Sequence, residues 1–405
     1  LKMTTTINNE HKKLNVPNKR EQNQTCLDSA EREGLSPKGN VPNLRFPEFQ
    51  GEWEKCTLGD LCNVLMCKRI LASQTNTEEG VPFYKIGTIG NAPDAYISKE
   101  LFDDYKTKYN YPHKGEVMIT CAGTVGKCVI YDGKDAYYQD SNIVWIDNPS
   151  QCISNSFLYH LLAKVDWRKL NSTTIIRIYN DDLRNLKLSY PRIEEQQKIS
   201  RLLSLLDERI ATQNKIIDKL QSLIKGIRND VFGKLRKNIG FNAVVGDVLD
   251  YEQPQSYIVE DTEYTNEGTP VLTANKAFVL GYTSETNGIY GKGDCIIFDD
   301  FTLDCKYVDF PFKVKSSAIK ILTAKNKELL RYTFEFLKYL DLSAEEHKRH
   351  YIAETQNQEI ILPTEQMVKT IAHIFSTLSL RMETAVKQRN VFEKQKQYLL
   401  RQMFI

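Results

Sequence analysis

The chain has 405 residues, of which 26% are charged and 41% are hydrophobic, and its formal net charge is +2. This composition is typical of a globular protein and excludes a largely disordered chain. No apolar run approaches the roughly 18 residues of a membrane span, and the N-terminus does not resemble a signal peptide, so we expect a cytoplasmic protein without membrane contact.

The first part of the chain predicts a tail followed by a mixed domain. Residues 1–44 are polar and lack apolar periodicity, which indicates a flexible tail. A folded domain over 45–190 follows, with short strands expected at 81–86, 116–120, 127–131 and 142–146 and a helix at 156–169. Gly123 and Gly126 lie between two of these strands and predict a tight turn with positive φ.

A long helix is predicted over 191–236, and a matching one over 363–405, 172 positions later and without a gap. Apolar residues recur in both at alternating steps of four and three, interrupted at Gln213, Arg389 and Lys396. The predicted seam consists of Ile199, Leu203, Leu206, Ile210, Ile217, Leu220, Ile224, Ile227, Ile371, Phe375, Leu378, Met382, Phe392 and Leu399. This spacing predicts that the two helices form an antiparallel coiled coil with each other.

The segment 237–362 repeats the order of the first domain. The sequence VGDV at 245–248 resembles LGDL at 58–61, KGDCIIF at 292–298 resembles KGEVMIT at 114–120, and a helix is expected over 327–340. We therefore predict an α+β fold with two similar globular α/β-type domains, separated by the two long helices in a pseudo-twofold arrangement.

Motifs for catalysis or metal binding are missing from the sequence. The segment AGTVGKC at 122–128 lacks the spacing and the hydroxyl residue of a phosphate-binding loop. The nine cysteines include no CxxC pair, and His347 and His350 have no third ligand nearby, so a surface basic cluster is favoured over a metal site. We expect no catalytic residue and no metal in this chain.

One pair of residues recurs just before each long helix. Arg177 and Tyr179 match Arg349 and Tyr351 at the offset of 172. Arginine offers a planar fork to guanine or phosphate and tyrosine offers a stacking face, so nucleic acid is favoured, with a loop-pinning role as the alternative. Further candidate DNA-binding residues are Lys85, Lys127, Tyr138, Ser141, Asn142, Arg168, Lys306, Tyr307, Lys315 and Lys348.

The arrangement over residues 46–405 resembles the specificity subunit of a type I restriction-modification enzyme. Two segments carry the resemblance: KGEVMITCAGTVGKC at 114–128 and PRIEEQQKI at 191–199. The second copy departs from this pattern, because only Glu365 and Gln366 echo the helix entry, and 299–305 replaces the glycine-containing turn.

The resemblance implies a DNA-binding subunit that is not itself an enzyme. Each domain would read one half of a bipartite site in double-stranded DNA, while the helices would set the spacer and dock methyltransferase subunits, expected in two copies. Restriction and translocase subunits would join the complex, and the partners would carry S-adenosylmethionine, ATP and Mg. The alternatives are a coiled-coil adaptor without DNA contact and the recognition half of a single-chain enzyme, which would need an N-P-P-Y-type motif that this sequence lacks.

Overall fold

The computed structural model describes residues 39–140, 142–169, 177–273, 277–342 and 350–405. The chain divides into two compact units: unit 1 is Leu1–Ile210 with Val391–Ile405, and unit 2 is Ala211–Asn390. The division falls inside the long helices, whereas the sequence placed boundaries at their ends. The reason is that each part of a long helix packs on the globular part of its own unit. No helix in the described ranges is long and apolar enough to cross a bilayer.

The described residues of unit 1 form nine strands and four short α-helices before the first long helix begins. In chain order they are β1 (Glu54–Thr57), α1 (Leu58–Leu61), β2 (Asn63–Leu65), β3 (Val81–Tyr84), β4 (Tyr96–Ile97), α2 (Lys99–Lys108), β5 (Val117–Thr120), β6 (Cys128–Ile130), β7 (Tyr137–Tyr138), β8 (Ile143–Asp147), α3 (Asn155–Lys164), α4 (Asn180–Arg184) and β9 (Lys187–Tyr190). The four predicted strands are confirmed. The predicted helix at 156–169 ends earlier, because Val165 has an extended backbone with ψ 127°.

The first long helix, α5 (Ile193–Asn238), leads into the elements of unit 2, which end with the second long helix. They are β10 (Ala243–Val244), α6 (Val245–Val248), β11 (Leu249–Glu252), β12 (Thr269–Leu272), β13 (Val279–Thr283), β14 (Cys295–Asp299), β15 (Cys305–Val308), β16 (Lys313–Val314), β17 (Ile319–Ala324), α7 (Lys327–Leu340), β18 (Glu359–Ile360) and α8 (Glu365–Met403). The bounds of α7 are those predicted from the sequence.

The two units repeat one sheet plan. The four-stranded sheet has the order β2-β8-β5-β6 in unit 1 and β11-β17-β14-β15 in unit 2. The three-stranded sheets, β4-β3-β7 and β13-β12-β16, each contain one antiparallel and one parallel pair. A two-stranded ladder, β1 with β9 or β10 with β18, completes each unit. The repeat seen in the sequence is therefore a repeat of the fold.

The short helices α1 and α6 show why the same residue types recur. A carboxylate oxygen of Asp60 accepts the backbone N–H of Thr57 at 2.7 Å, and Asp247 accepts that of Val244 at 3.0 Å. The preceding glycine has little room for a side chain: a Cβ on Gly59 would lie 3.1 Å from the carbonyl oxygen of Arg184. A Cβ on Gly246 would likewise lie 3.2 Å from the carbonyl oxygen of Gln356. Gln356 follows Arg184 by 172 positions, the offset of the repeat.

The long helices α5 and α8 begin 172 residues apart, each two residues after a proline. Of the predicted seam, Ile199, Leu203, Leu206, Ile217, Ile224, Ile371, Phe375 and Leu378 are buried, and Ile210, Leu220, Ile227, Met382, Phe392 and Leu399 are half-buried.

Within each unit the two helices run antiparallel. In unit 1 the beginning of α5 lies beside the end of α8, since the guanidinium of Arg209 lies 5.5 Å from the centre of the Phe392 ring. Lys396, which interrupts the apolar stripe, forms an ion pair with Asp207. In unit 2 the end of α5 lies beside the beginning of α8, where the rings of Phe232 and Phe375 stack with centroids 6.3 Å apart.

Residues 39–44 correct the predicted extent of the tail, because they are packed in unit 1. The side chain of Asn40 is buried and donates a hydrogen bond to the carbonyl oxygen of Trp53 at 2.7 Å. The N–H of Leu44 donates to the carbonyl oxygen of Gln402 at 2.9 Å. The guanidinium of Arg45 binds both carboxylate oxygens of buried Glu195 at 2.7 Å. The remainder of the predicted tail, 1–38, lies outside the described residues.

Candidate nucleic-acid interface

A groove on unit 1 forms around the segment that follows strand β2. Two adjoining cavities, of about 440 and 410 Å³, share Met66. A third cavity of about 560 Å³ shares Tyr109 and Asn110 with the first. We call the surface formed by residues 66–69, 108–110 and 177–184 the unit 1 groove.

The groove combines basic groups with exposed aromatic rings. The ammonium of Lys68 lies 5.4 Å from the centre of the Tyr109 ring, and the guanidinium of Arg177 lies 5.9 Å from the centre of the Tyr179 ring. Tyr109 is 41% exposed and Tyr179 is 61% exposed. Such rings can stack on an unpaired base, while the cationic groups can bind phosphates or base edges.

Acidic residues border the groove and orient two of its arginines. The Nε of Arg69 lies 3.9 Å from a carboxylate oxygen of Asp140, and this arginine side chain is 74% exposed. The guanidinium of Arg184 lies 3.3 Å from the carboxylate of Asp181. Because exposed pairs of this kind contribute little stability, both arginines can exchange these partners for a phosphate at small cost.

The loop that carries Arg177 and Tyr179 is held by the residue between them. The N–H of Ile178 donates to the carbonyl oxygen of Cys121 at 2.9 Å, and the side chain of Ile178 is buried. The N–H of Tyr179 donates to a carboxylate oxygen of Asp182 at 2.8 Å. The anchor of the loop is thus Ile178 and the backbone, and the tyrosine ring is left on the surface.

The second copy of this loop has the same backbone anchor and a different side-chain arrangement. The N–H of His350 donates to the carbonyl oxygen of Asp300 at 3.0 Å, which matches the bond of Ile178. Tyr351, however, is fully buried, edge-on to Tyr251 and Phe298 at 5.4 and 5.3 Å. The prediction that Tyr351 lies on a DNA-facing surface is wrong, because unit 2 offers its ring an aromatic core to fill. Lys348 and Arg349 lie outside the described residues.

Two further predicted DNA-binding residues of unit 1 have structural roles. Tyr138, predicted as a DNA-binding residue, is 4% exposed and stacks on Tyr84 with ring centroids 5.8 Å apart, so its ring is buried and does not face DNA. The ammonium of Lys127 donates to the carbonyl oxygen of Ile89 at 2.5 Å and so supports the loop that follows β3.

Lys85, Asn142 and Arg168 are not among the residues that line the three groove cavities. Lys85 pairs with Asp94 at 3.1 Å on the surface. The carbonyl oxygen of Asn142 accepts the N–H of Cys121 at 2.7 Å. Arg168 is exposed, and Ser141 lies outside the described residues.

In unit 2 two of the predicted residues, Lys306 and Tyr307, are held by neighbouring groups. Lys306 pairs with Asp304 at 3.3 Å and lies 5.5 Å from the centre of the Phe278 ring. The hydroxyl of Tyr307 donates to the carboxylate of Asp294 at 2.6 Å, and burial together with this bond raises the pKa of Tyr307. Lys315 has an exposed side chain.

Sequence reasoning missed four groove residues, Lys68, Arg69, Lys108 and Tyr109. Their signal is the one that singled out Arg177 and Tyr179, namely basic residues interleaved with an aromatic at the end of an element. Cys67, at the base of the groove, is buried, and burial raises the pKa of its thiol to about 12. The thiol is therefore neutral near pH 7.

Comparison with known proteins shows which proteins this chain is similar to. Residues 50–222 match the type I restriction modification DNA specificity domain family. A Haemophilus influenzae protein described as a type I restriction enzyme specificity subunit is 48% identical over 168 residues, which are 42% of this chain and 43% of that protein. The EcoR124I/EcoR124II specificity subunit of Escherichia coli is 46% identical over 126 residues, 29% of this chain and 31% of that protein.

A solved structure extends the similarity of fold to nearly the whole chain. The S subunit of a type I restriction-modification system from M. genitalium superposes with a TM-score of 0.65 at 16% identity, covering 90% of this chain and 99% of that one. The sequence matches span less than half of the two curated relatives. The expected resemblance to type I restriction-modification specificity subunits is confirmed.

Proposed function

We propose that this chain is the non-catalytic DNA-recognition subunit of a type I restriction-modification complex. Each globular part reads one half of a bipartite site in double-stranded DNA. The adenine methylation, translocation and cleavage implied by the family belong to partner subunits, which carry S-adenosylmethionine, ATP and Mg. The relatives named above are specificity subunits, and this supports the same role here.

One observation supports two independent readers more than any other. The sheet plan is the same in both units, but the segment after β2, which borders the unit 1 groove, has no close counterpart in unit 2. Strand β2 is followed by Met-Cys-Lys-Arg at 66–69, whereas β11 is followed by Gln-Pro-Gln-Ser at 253–256. A constant frame with unlike loops is what two modules with different targets require.

Domain exchange tests this proposal directly. Residues 46–190 are replaced by the corresponding segment of another specificity subunit, and the methylated sequences in the host are determined with the partner subunits present. One half of the methylated site is expected to change and the other to stay. A change in both halves would contradict independent reading, and a complex that assembles without binding DNA would favour the adaptor alternative.

The long helices are proposed to set the spacing of the two half-sites. Helix α5 has 46 residues, which at about 1.5 Å per residue gives roughly 69 Å, about two turns of duplex DNA. Removing one matched heptad from each helix, 211–217 and 383–389, preserves the apolar stripe and shortens the pair by about 10 Å, or roughly three base pairs.

Methylation by this deletion variant is expected at a shorter spacer with unchanged half-sites. Its activity is expected to fall, because the half-sites also rotate around the duplex by about a third of a turn. A variant that folds, binds its partners and methylates only the original spacing would refute this role of the helices.

The helices are also proposed to dock the methyltransferase subunits. Two similar helices present two similar surfaces, so two copies of the partner are expected per chain. Native mass spectrometry of the saturated complex measures the stoichiometry. A single copy at saturation would contradict the proposal.

A further inference from the structure

The two globular parts differ in charge far more than in fold. Residues 45–190 contain 17 basic and 18 acidic residues, whereas residues 241–362 contain 12 basic and 20 acidic residues. The positive charge of unit 2 lies instead on the long helix, where 211–240 contains seven basic and two acidic residues. Since phosphates dominate affinity for DNA, such a difference has consequences for binding.

Unit 2 also neutralises basic groups inside its own fold. Lys313 has a side chain that is 2% exposed and pairs with Glu285 at 2.5 Å. Lys320, also 2% exposed, lies 3.4 Å from the carboxylate of Asp300. The guanidinium of Arg331, 8% exposed, pairs with Glu335 at 2.7 Å. These three cations hold the fold together and are not available to a phosphate.

Unit 1 has basic groups at the groove that unit 2 lacks at the matching places. Lys68 and Arg69 follow β2 and are exposed. Lys108 ends helix α2, and its exposed partner is Asp104. In unit 2 the matching segment after β11 has no basic residue, and the described segment 284–294, where α2 would lie, contains no helix.

We infer that unit 1 is the electrostatic anchor of the complex on duplex DNA, and that the globular part of unit 2 contributes few phosphate contacts. The inference rests on the proposed DNA-reading function. The unit 1 groove holds the phosphate backbone through Lys68, Arg69 and Lys108, with Tyr109 beside them. The acidic globular part of unit 2 then reads its half-site from a duplex that is already held in place.

The test compares two variants that each lose three positive charges. Lys68→Gln, Arg69→Gln and Lys108→Gln are combined in one chain; Lys306→Gln, Lys315→Gln and Lys325→Gln are combined in the matched control. Each full chain is assembled with its methyltransferase partners, and circular dichroism checks the fold. The dissociation constant is measured against salt concentration for a duplex with the target site and for one with both half-sites scrambled.

Loss of each phosphate contact lowers the slope of log affinity against log salt by about 0.9. The slope for the unit 1 variant is expected to fall by roughly 2 to 3, and its affinity for DNA by about 10-fold or more. Both duplexes should be affected alike, because phosphate contacts are independent of sequence. The control is expected to lose less than about 1.

Three outcomes separate the hypotheses. If the two variants lost equal amounts of salt slope, or the control lost more, the proposal that unit 1 carries more phosphate contacts than unit 2 would be overturned. The proposed DNA-reading function would not be affected by that result. A loss restricted to the target duplex would overturn the anchor role and assign the three groove residues to base readout. Failure of the unaltered complex to prefer the target duplex would refute the proposed function itself.

Discussion

Replacing Gln196 tests whether the entry of the first long helix is held by one buried side chain. Gln196 is fully buried. Its carbonyl oxygen accepts the N–H of Ser154 at 2.7 Å, and its amide nitrogen donates to the carbonyl oxygens of Cys152 and Pro191, both at 2.8 Å. The side chain thereby connects the helix start to the segment that enters α3.

The cost of Gln196→Ala follows from these three bonds. The bond to Pro191 is buried and the other two are partly buried. Alanine would leave one N–H and two carbonyl oxygens without this partner, and about 1 kcal/mol per bond gives a loss near 3 kcal/mol in the free energy of unfolding. With a urea m-value of about 2 kcal/mol/M, the midpoint moves down by about 1.5 M.

Tryptophan fluorescence is the appropriate assay, because all three tryptophans, Trp53, Trp145 and Trp167, belong to unit 1. The control is Gln197→Ala, the same change at the exposed neighbouring position, which is expected to leave the midpoint in place. A shift below about 0.25 M for Gln196→Ala at unchanged m-value would refute the reasoning.

Two further predictions concern a turn and a buried histidine. Gly126 has φ +82°, and a Cβ there would lie 2.1 Å from the Trp167 ring, so Gly126→Ala is expected to lower stability in urea by about 2–4 kcal/mol. Gly233 lies in α5, and a Cβ there would have nothing within 4 Å. Gly233→Ala is therefore expected to leave the stability followed by circular dichroism unchanged or to raise it by up to about 1 kcal/mol. Equal losses of stability in Gly126→Ala and Gly233→Ala would contradict both predictions. Burial, helped by nearby Lys396, lowers the pKa of His160 from 6.5 to about 4, so between these values the unfolded chain holds more protons and stability falls as pH falls. Between pH 7 and pH 5, the free energy of unfolding of His160→Phe should fall by about 2 kcal/mol less than that of the unaltered chain, as measured in urea titrations. If the two chains lost the same stability, another group would be responsible for the pH dependence.

Much of the fold could be read from the sequence because its signals are local. The steps of three and four place one apolar stripe on each long helix, and the offset of 172 brings Phe232 and Phe404 to equivalent core positions in their units. Gly123 and Gly126 have positive φ of 65° and 82°, as their spacing between two strands predicted. Helix periodicity and turn chemistry depend on neighbouring residues, so they need no knowledge of distant contacts.

The candidate site was predicted less well, because exposure depends on contacts between distant segments. Arg177 and Tyr179 do line the groove, but its other walls come from 66–69 and 108–110. No spacing rule joins these three segments; the sheet and its loops do. The same residue type also met different surroundings, since Tyr179 is 61% exposed and Tyr351 is fully buried.

The sequence by itself determined the repeated frame, the two long helices and the family resemblance, since these reside in periodicity and matched motifs. Only the tertiary structure decided which basic and aromatic side chains remain on the surface and which fill a core. Lys313 and Lys320 are buried against carboxylates, while Lys68 and Arg69 stay exposed at the groove. The physical reason is that burial and pairing are set by residues far apart in the chain, which meet only when the sheets have formed.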